Sequence, residues 1–223
     1  MFKHLIYHDL IEVIDLRNCA INYKIFQYLT QHFPRLTTLH IGQTENKLSP
    51  NRTVNEFFPT RTIDKNYFLK KSTLKILSIE GVCTTPNDTI EDIFYQSLTQ
   101  SSEHLRLLDL SRNTTLESLS YIDCFKQIYS LILYDISPII IESALDCLCQ
   151  LKTLVVLDLS LNRRNQETLV YSKPTITLAQ IIRALPKLLS LDISGTNLAG
   201  SFSFVEEEEL AYIRKELSIN DDE

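Results

Sequence analysis

The chain has 223 residues, and its 44% hydrophobic content is enough for a continuous core in one elongated domain or two small ones. Acidic residues outnumber basic ones by 28 to 22, and the formal net charge of −6 opposes nonspecific attraction to phosphate groups. We therefore expect a folded protein whose partners are neither nucleic acids nor membranes.

The start of the chain and its cysteines indicate the compartment. The first nine residues, MFKHLIYHD, are too interrupted by polar side chains for the core of a signal peptide, and no stretch approaches the ~18 apolar residues that span a bilayer. The five cysteines are scattered and form no C-x-x-C pair, which favours buried, reduced thiols over disulfides or a zinc site. We expect a cytoplasmic protein, with the nucleus as a second compartment.

A frame of the form L-x-x-L-x-L-x-x-N/C/T-x-L recurs along the chain. Strong copies begin at Ile11, Leu105, Leu154 and Leu188, and weaker ones at Leu36, Leu74 and Ile128. Each L-x-L segment predicts a short strand whose leucines face inward and whose intervening residues face outward. The Asn, Cys or Thr that follows is expected to turn inward and bond to backbone groups that the turn leaves unpaired.

Between these strands, apolar residues recur three and four positions apart, which predicts helices. The predicted helices are Tyr23 to Phe33, Thr89 to Thr99, Leu116 to Lys126, Ile140 to Cys149 and Thr175 to Leu185. Strand-then-helix units of this length predict an α/β leucine-rich repeat solenoid, or horseshoe, over residues 1–202. Its parallel sheet lies on the concave side and its helices on the convex side.

Two segments depart from the repeat. The second unit contains a long insertion, residues 43–73, with a basic cluster of Arg61, Lys65, Lys70, Lys71 and Lys75. This insertion is either a contact for a partner or a solvated loop that the repeat tolerates. Residues 203–223 contain Leu210, Ile213 and Leu217 on one helical stripe, which predicts a C-terminal helix that either caps the last repeat or links to another domain.

The residues that carry chemistry follow no catalytic pattern. The four glycines form neither a dinucleotide-binding nor a nucleotide-phosphate motif, and the five histidines have no metal-ligand spacing. We therefore predict that the chain is not an enzyme, with no catalytic residue, no cofactor and no metal.

The outward positions of the strands form the predicted binding surface of the solenoid. The predicted protein-binding face consists of Asp15, Leu107, Asp109, Ser111, Val156, Asp158, Ser160, Asp192 and Ser194. Val13 and Ile76 extend its apolar row. An acidic ladder beside an apolar row suits a basic or amphipathic peptide, whereas the alternative is a solvated face with incidental charge.

The amino-acid sequence of the last repeats resembles that of a known family. Residues 149–160 read CQLKTLVVLDLS and residues 188–200 read LLSLDISGTNLAG, which resembles the leucine-rich repeat region of the zyg-eleven and zer-one family. Members of that family are substrate receptors of cullin-2 RING ubiquitin ligases. They carry a box that binds elongin C and cullin-2, then leucine-rich repeats, then armadillo repeats that recognise glycine-type amino-terminal degrons. The resemblance implies a role in targeted ubiquitination.

The sequence departs from that family plan at both ends. Ten residues precede the first repeat, too few for the adaptor box, and no armadillo domain is expected after residue 217. One internal candidate box begins at Ala144-Leu145, but Thr153 stands where a hydrophobic residue is expected, and Leu145, Leu148 and Cys149 are expected in the core. We therefore expect the repeat module alone, with no functional residue carried over from the family.

Two functions remain open from the sequence. The first is the leucine-rich repeat part of a substrate-recognition subunit of a cullin-2 RING ubiquitin ligase. The second is a stand-alone scaffold or inhibitor that binds a protein partner through its concave face.

Overall fold

The computed structural model describes residues 8–19, 28–29, 32–42, 73–81, 103–113, 116, 118–120, 122–161 and 178–196. Within these residues, seven strands form one sheet in chain order, and every neighbouring pair is parallel. The strands are β1 (Val13–Arg17), β2 (Thr38–Gly42), β3 (Ile76–Glu80), β4 (Leu107–Asp109), β5 (Ser130–Ile132), β6 (Val156–Asp158) and β7 (Ser190–Asp192). Each predicted repeat supplies one strand, and this confirms the α/β leucine-rich repeat solenoid.

The strands stack in register, so equivalent leucines of successive repeats form continuous buried rows. The central inward row is Ile14, Leu39, Leu77, Leu108, Leu131, Leu157 and Leu191. From Leu39 to Leu157 these side chains are at most 1% exposed. Burying each leucine contributes about 2 kcal/mol, so this row is the main stabilising feature of the sheet.

The backbone turn after five of the strands is tied to the next repeat. An N–H in the turn, one to three residues after the strand end, donates to a carbonyl of the neighbouring repeat at 2.7–2.9 Å. These pairs are Asn18 to Gly42, Gly81 to Ser111, Arg112 to Tyr134, Asp135 to Ser160 and Leu161 to Ser194. Asn18, Gly81, Arg112 and Asp135 adopt a left-handed backbone with φ near +60°. The same turn conformation therefore recurs after several of the strands.

Gly42 permits the closest approach between two strand ends. Its φ is +121°, and a Cβ built on it would lie 1.9 Å from the carbonyl oxygen of Glu80. Only glycine fits at this point between β2 and β3.

The polar residue after the strand fulfils its predicted role in the fourth repeat. The Asn113 side chain is 1% exposed, and its amide nitrogen donates to the carbonyls of Ile79 and Leu110 at 2.7 Å and of Ser111 at 3.4 Å. The same position is apolar Ile136 in the fifth repeat. In the first repeat the position is Cys19, which is exposed because β1 begins the sheet and no described repeat packs on its outer side.

Helices follow two of the predicted segments. Helix α1 (Pro138–Leu148) matches the segment 140–149, and α2 (Leu178–Ala184) lies within 175–185. The predicted helix over 116–126 is wrong: its described residues contain only a 3-10 turn, Ile122–Cys124. Ser118 explains the difference, because its hydroxyl accepts a hydrogen bond from the Ser120 N–H at 3.0 Å and competes with helical pairing.

Several predictions fall outside the described residues. They are the helix 89–99, most of the helix 23–33, the insertion 43–72 and the C-terminal helix 203–223. Of the segment 23–33, Leu29 and Phe33 are buried, and the Phe33 N–H donates to the Leu29 carbonyl at 3.2 Å. Within the described ranges, no helix has the length and apolar composition to cross a membrane.

The described cysteines are free thiols, as predicted, but they are not buried. Cys19 and Cys124 are exposed, and Cys147 and Cys149 are partly buried. Partial desolvation raises the pKa of Cys124, Cys147 and Cys149, so these thiols are less nucleophilic than a free cysteine.

We expect Asn113→Ala to lower the free energy of unfolding by about 2 kcal/mol, because it leaves buried backbone carbonyls without their donor. Urea denaturation measures the change. The matched control is Cys19→Ala, which alters the same repeat position where it is exposed, and we expect a change below about 0.5 kcal/mol. Equal losses in the two variants would contradict the role of the Asn113 amide.

Candidate protein-binding face

The four predicted aspartates share one row on the outer face of the sheet, the face opposite the buried leucines. The strand register places Asp15, His40, Ser78, Asp109, Ile132, Asp158 and Asp192 side by side in that order. The acidic ladder is therefore interrupted. Asp158 and Asp192 are direct neighbours, whereas Ile132 separates Asp109 from Asp158.

Two serines predicted for this face are buried. Ser111 and Ser160 are 5% and 4% exposed, so the expectation that they present their hydroxyls to a partner is wrong. Each hydroxyl donates at 2.5 Å to Oδ1 of the aspartate two residues earlier, Asp109 or Asp158. Asp-x-Ser is thus a local turn motif that closes the strand end.

The aspartates of this row also accept backbone hydrogen bonds. The N–H groups of Ser111, Ser160 and Ser194 donate to Oδ1 of their respective aspartates at 2.8–2.9 Å. Ser194 is exposed, as predicted. The remaining oxygen of Asp109 accepts a hydrogen bond from the Ser78 hydroxyl at 3.1 Å.

At β1, the carboxylate is neutralised within its own strand. The Arg17 guanidinium donates to both oxygens of Asp15, with the shortest contact 2.6 Å. This hydrogen-bonded pair lowers the pKa of Asp15 from 3.8 to about 2 and raises the pKa of Arg17. Both side chains are about half exposed, so the pair contributes little to stability.

A second charge pair joins β3 to the repeats of β4 and β5. Arg112 lies 3.1 Å from Glu80, and its guanidinium carbon is 5.6 Å from the centre of the Tyr134 ring. Burial raises the pKa of Glu80, and the nearby Arg112 opposes that shift. The arginine is therefore held by a carboxylate and an aromatic ring.

At β6 and β7, the acidic pair has no such neutralisation. Neither Asp158 nor Asp192 has an ion pair within the described residues, although strand spacing brings their positions to about 4.8 Å apart. Tyr129 and Leu189 directly precede β5 and β7 and are 51% and 85% exposed.

The apolar row beside the aspartates is in register as predicted. Its order is Val13, Thr38, Ile76, Leu107, Ser130, Val156 and Ser190. Val13 is 61% exposed, and Ile76, Leu107 and Val156 are partly exposed. The face can therefore offer aliphatic contacts along its length.

The internal candidate for an elongin-binding box is part of the core. Leu145 and Leu148 of α1 are each 1% exposed, and Cys149 is partly buried. The Thr153 hydroxyl donates to the carbonyls of Ile128 at 2.7 Å and Lys126 at 2.9 Å. These residues connect repeats, so they are not available to an adaptor.

Comparison with known proteins identifies the repeat family. The family model described as "Zer-1-like, Leucine-rich repeats" matches residues 96–219, which is more than half of the chain. The chain belongs to the Zer-1-like leucine-rich repeat family. The match includes β4 to β7, and β1 to β3 extend the same sheet towards the amino terminus.

A relative of this Zer-1-like chain is the Protein zer-1 homolog of Drosophila melanogaster. The two are 36% identical over 84 residues, which cover 38% of this chain and 10% of the fly protein. The resemblance inferred from residues 149–200 is confirmed and extends further along the chain. Leucine-rich repeats of this family indicate an interaction module with protein partners.

Sequence reasoning missed three residues of the Zer-1-like chain's outer face: Glu80, Arg112 and Tyr134. Each lies at or just after a strand end, where the repeats have no recurring residue type. Aligning the repeats by register would have placed Glu80 beside Ser111 and Tyr134. Within the described ranges, no three His, Cys, Asp or Glu side chains are grouped so as to hold a metal.

The Asp15 carboxyl provides a test of the charge pair at β1. We expect Arg17→Ala to raise the pKa of Asp15 from about 2 towards 3.8. Arg17→Lys should give an intermediate pKa, because lysine keeps the positive charge but cannot make the paired hydrogen bonds of the guanidinium. In the wild type, the stabilising contribution is complete above pH 3.8 and is lost as the pH falls through about 2. Carbon-13 titration of the Asp15 carboxyl by NMR measures these values, and an unchanged pKa in Arg17→Ala would contradict the assignment.

Proposed function

We propose that this chain is the leucine-rich repeat module of a substrate-recognition subunit of a cullin-2 RING ubiquitin ligase. Membership of the Zer-1-like repeat family carries the proposal. The module acts as a rigid spacer between the part that binds the ligase core and the part that binds substrate. The aligned region covers 10% of the fly relative. By the family resemblance, substrate recognition lies in the armadillo repeats of such a receptor.

The geometry of the sheet supports a spacer. Seven strands at about 4.8 Å spacing extend over roughly 29 Å, a distance fixed by one uninterrupted ladder of backbone hydrogen bonds. Threonine hydroxyls add cross-links between repeats, as Thr73 donates to the Leu36 carbonyl at 2.6 Å and Thr153 to the Ile128 carbonyl at 2.7 Å. Because each repeat contacts only its neighbours along one axis, the number of repeats sets the distance between the two ends of the array.

The ligase role is tested by affinity capture of the complete gene product from cells. We expect elongin C and cullin-2 in the captured complex, detected by immunoblotting and by quantitative mass spectrometry. The control is an equally tagged leucine-rich repeat protein of an unrelated family. Capture of neither elongin C nor cullin-2 by the complete product would contradict the proposal.

A second function is supported by the acidic pair at β6 and β7. Asp158 and Asp192 are direct neighbours and form no ion pair among the described residues, and Tyr129 and Leu189, which precede β5 and β7, are exposed. This end of the face suits an amphipathic helix that carries two basic residues three or four positions apart. Such residues are 5–6 Å apart on a helix, close to the strand spacing of about 4.8 Å.

Removing the charge of the acidic pair tests this second function. Asp158→Asn with Asp192→Asn keeps the side-chain oxygens that accept hydrogen bonds from Ser160 and Ser194, so the fold is retained. We expect a helical peptide with paired lysines beside leucines to lose about tenfold in affinity, as measured by fluorescence anisotropy at low salt. The control is Asp146→Asn on the outside of α1, and equal binding by both variants would contradict a role for the acidic pair.

A further inference from the structure

The last repeat of the described sheet leaves its inward-facing side chains accessible. In the repeat of β6, the three inward leucines are at most 1% exposed: Leu154, Leu157 and Leu159. Their counterparts in the repeat of β7 are only partly buried: Leu188, Leu191 and Ile193. The difference arises because each repeat is covered by the one that follows, and β7 is the last strand of the sheet.

Helix α2 lies beneath this surface. Leu178 and Ile182 are buried and pack against Leu191 and Ile193, which also pack against the main core. We call the three partly buried residues Leu188, Leu191 and Ile193 the apolar end. A solenoid end of this kind needs a cover to stay soluble, and the free edge of β7 also presents unpaired backbone groups within the described residues.

The sequence that follows β7 has the pattern of a cover. Leu210, Ile213 and Leu217 recur at spacings of three and four, which predicts one apolar face of a helix. The Zer-1-like family match continues through this segment to residue 219, which includes it in the repeat region. A short connection, residues 197–202, holds the segment beside the apolar end at high effective concentration.

Charge complementarity also favours this segment. Four consecutive acidic residues, Glu206–Glu209, open it. Arg183 lies on α2 and Lys187 follows α2, while Lys152 belongs to the preceding repeat; all three side chains are exposed. The Lys152 ammonium donates to the carbonyl of Ala184, the last residue of α2, at 2.7 Å.

We propose that residues 203–217 of this chain form a helix that docks on the apolar end and places Leu210, Ile213 and Leu217 against Leu191 and Ile193. The segment is thus a cap of the repeat module, and this decides between the capping and linking roles that the sequence alone left open. The inference does not depend on the ligase role, because it concerns contacts within one chain.

Hydrogen exchange of the full chain tests the docking. In Leu210→Asp with Ile213→Asp, we expect the amides of residues 188–193 to exchange about tenfold faster or more, because a charged face cannot cover the apolar end. The matched control is Val205→Asp with Tyr212→Asp, which introduces the same charge on the opposite side of the proposed helix. We expect wild-type exchange in the control, and unchanged exchange at Leu157 and Leu159 in both variants.

Two results would overturn the docking. The first is equal exchange at residues 188–193 in the two variants. The second is a wild-type dimer in sedimentation equilibrium whose protection at these amides depends on protein concentration, since a second copy would then cover the apolar end. If Leu210→Asp with Ile213→Asp also loses protection at Leu157, alanine replaces aspartate at all four positions. The comparison of exchange at residues 188–193 between the two alanine variants then tests the docking.

Discussion

In-register stacking of the inward leucines is the constraint on which every other feature depends. Because Leu39, Leu77, Leu108, Leu131 and Leu157 must meet in one buried row, each other position of the repeat also forms a row across the sheet. A shift by one residue in any strand would expose its leucines and bury its polar side chains. The role of a residue is therefore set by its row more than by its neighbours in the chain.

The features that one repeat encodes by itself could be predicted from the sequence. The strand positions, the inward row and the buried amide of Asn113 all follow from the recurring frame. Features in which a side chain hydrogen-bonds to a neighbouring residue instead of following the repeat pattern could not be predicted. Ser118 diverts the segment after β4 from a helix, and alternation along a strand gave no sign that Ser111 and Ser160 fold back onto their aspartates.

Contacts between unlike repeats were also beyond the sequence. Glu80 and Arg112 are 32 residues apart and occupy different repeat positions, so no periodic pattern connects them. Their pairing requires the register of β3 and β4 together with the left-handed turn at Arg112. The binding face predicted from the row of aspartates therefore omitted this charge pair.

The two ends of the outer face differ in whether a cationic side chain neutralises their aspartates. At β1, a cationic partner would have to displace Arg17, which makes three side-chain hydrogen bonds to Asp15. At β6 and β7, Asp158 and Asp192 occupy adjacent positions and form no ion pair within the described residues, so a cation bound there would displace no arginine. Under the proposed second function, this uneven charge would place the basic residues of a partner at β6 and β7 rather than at β1.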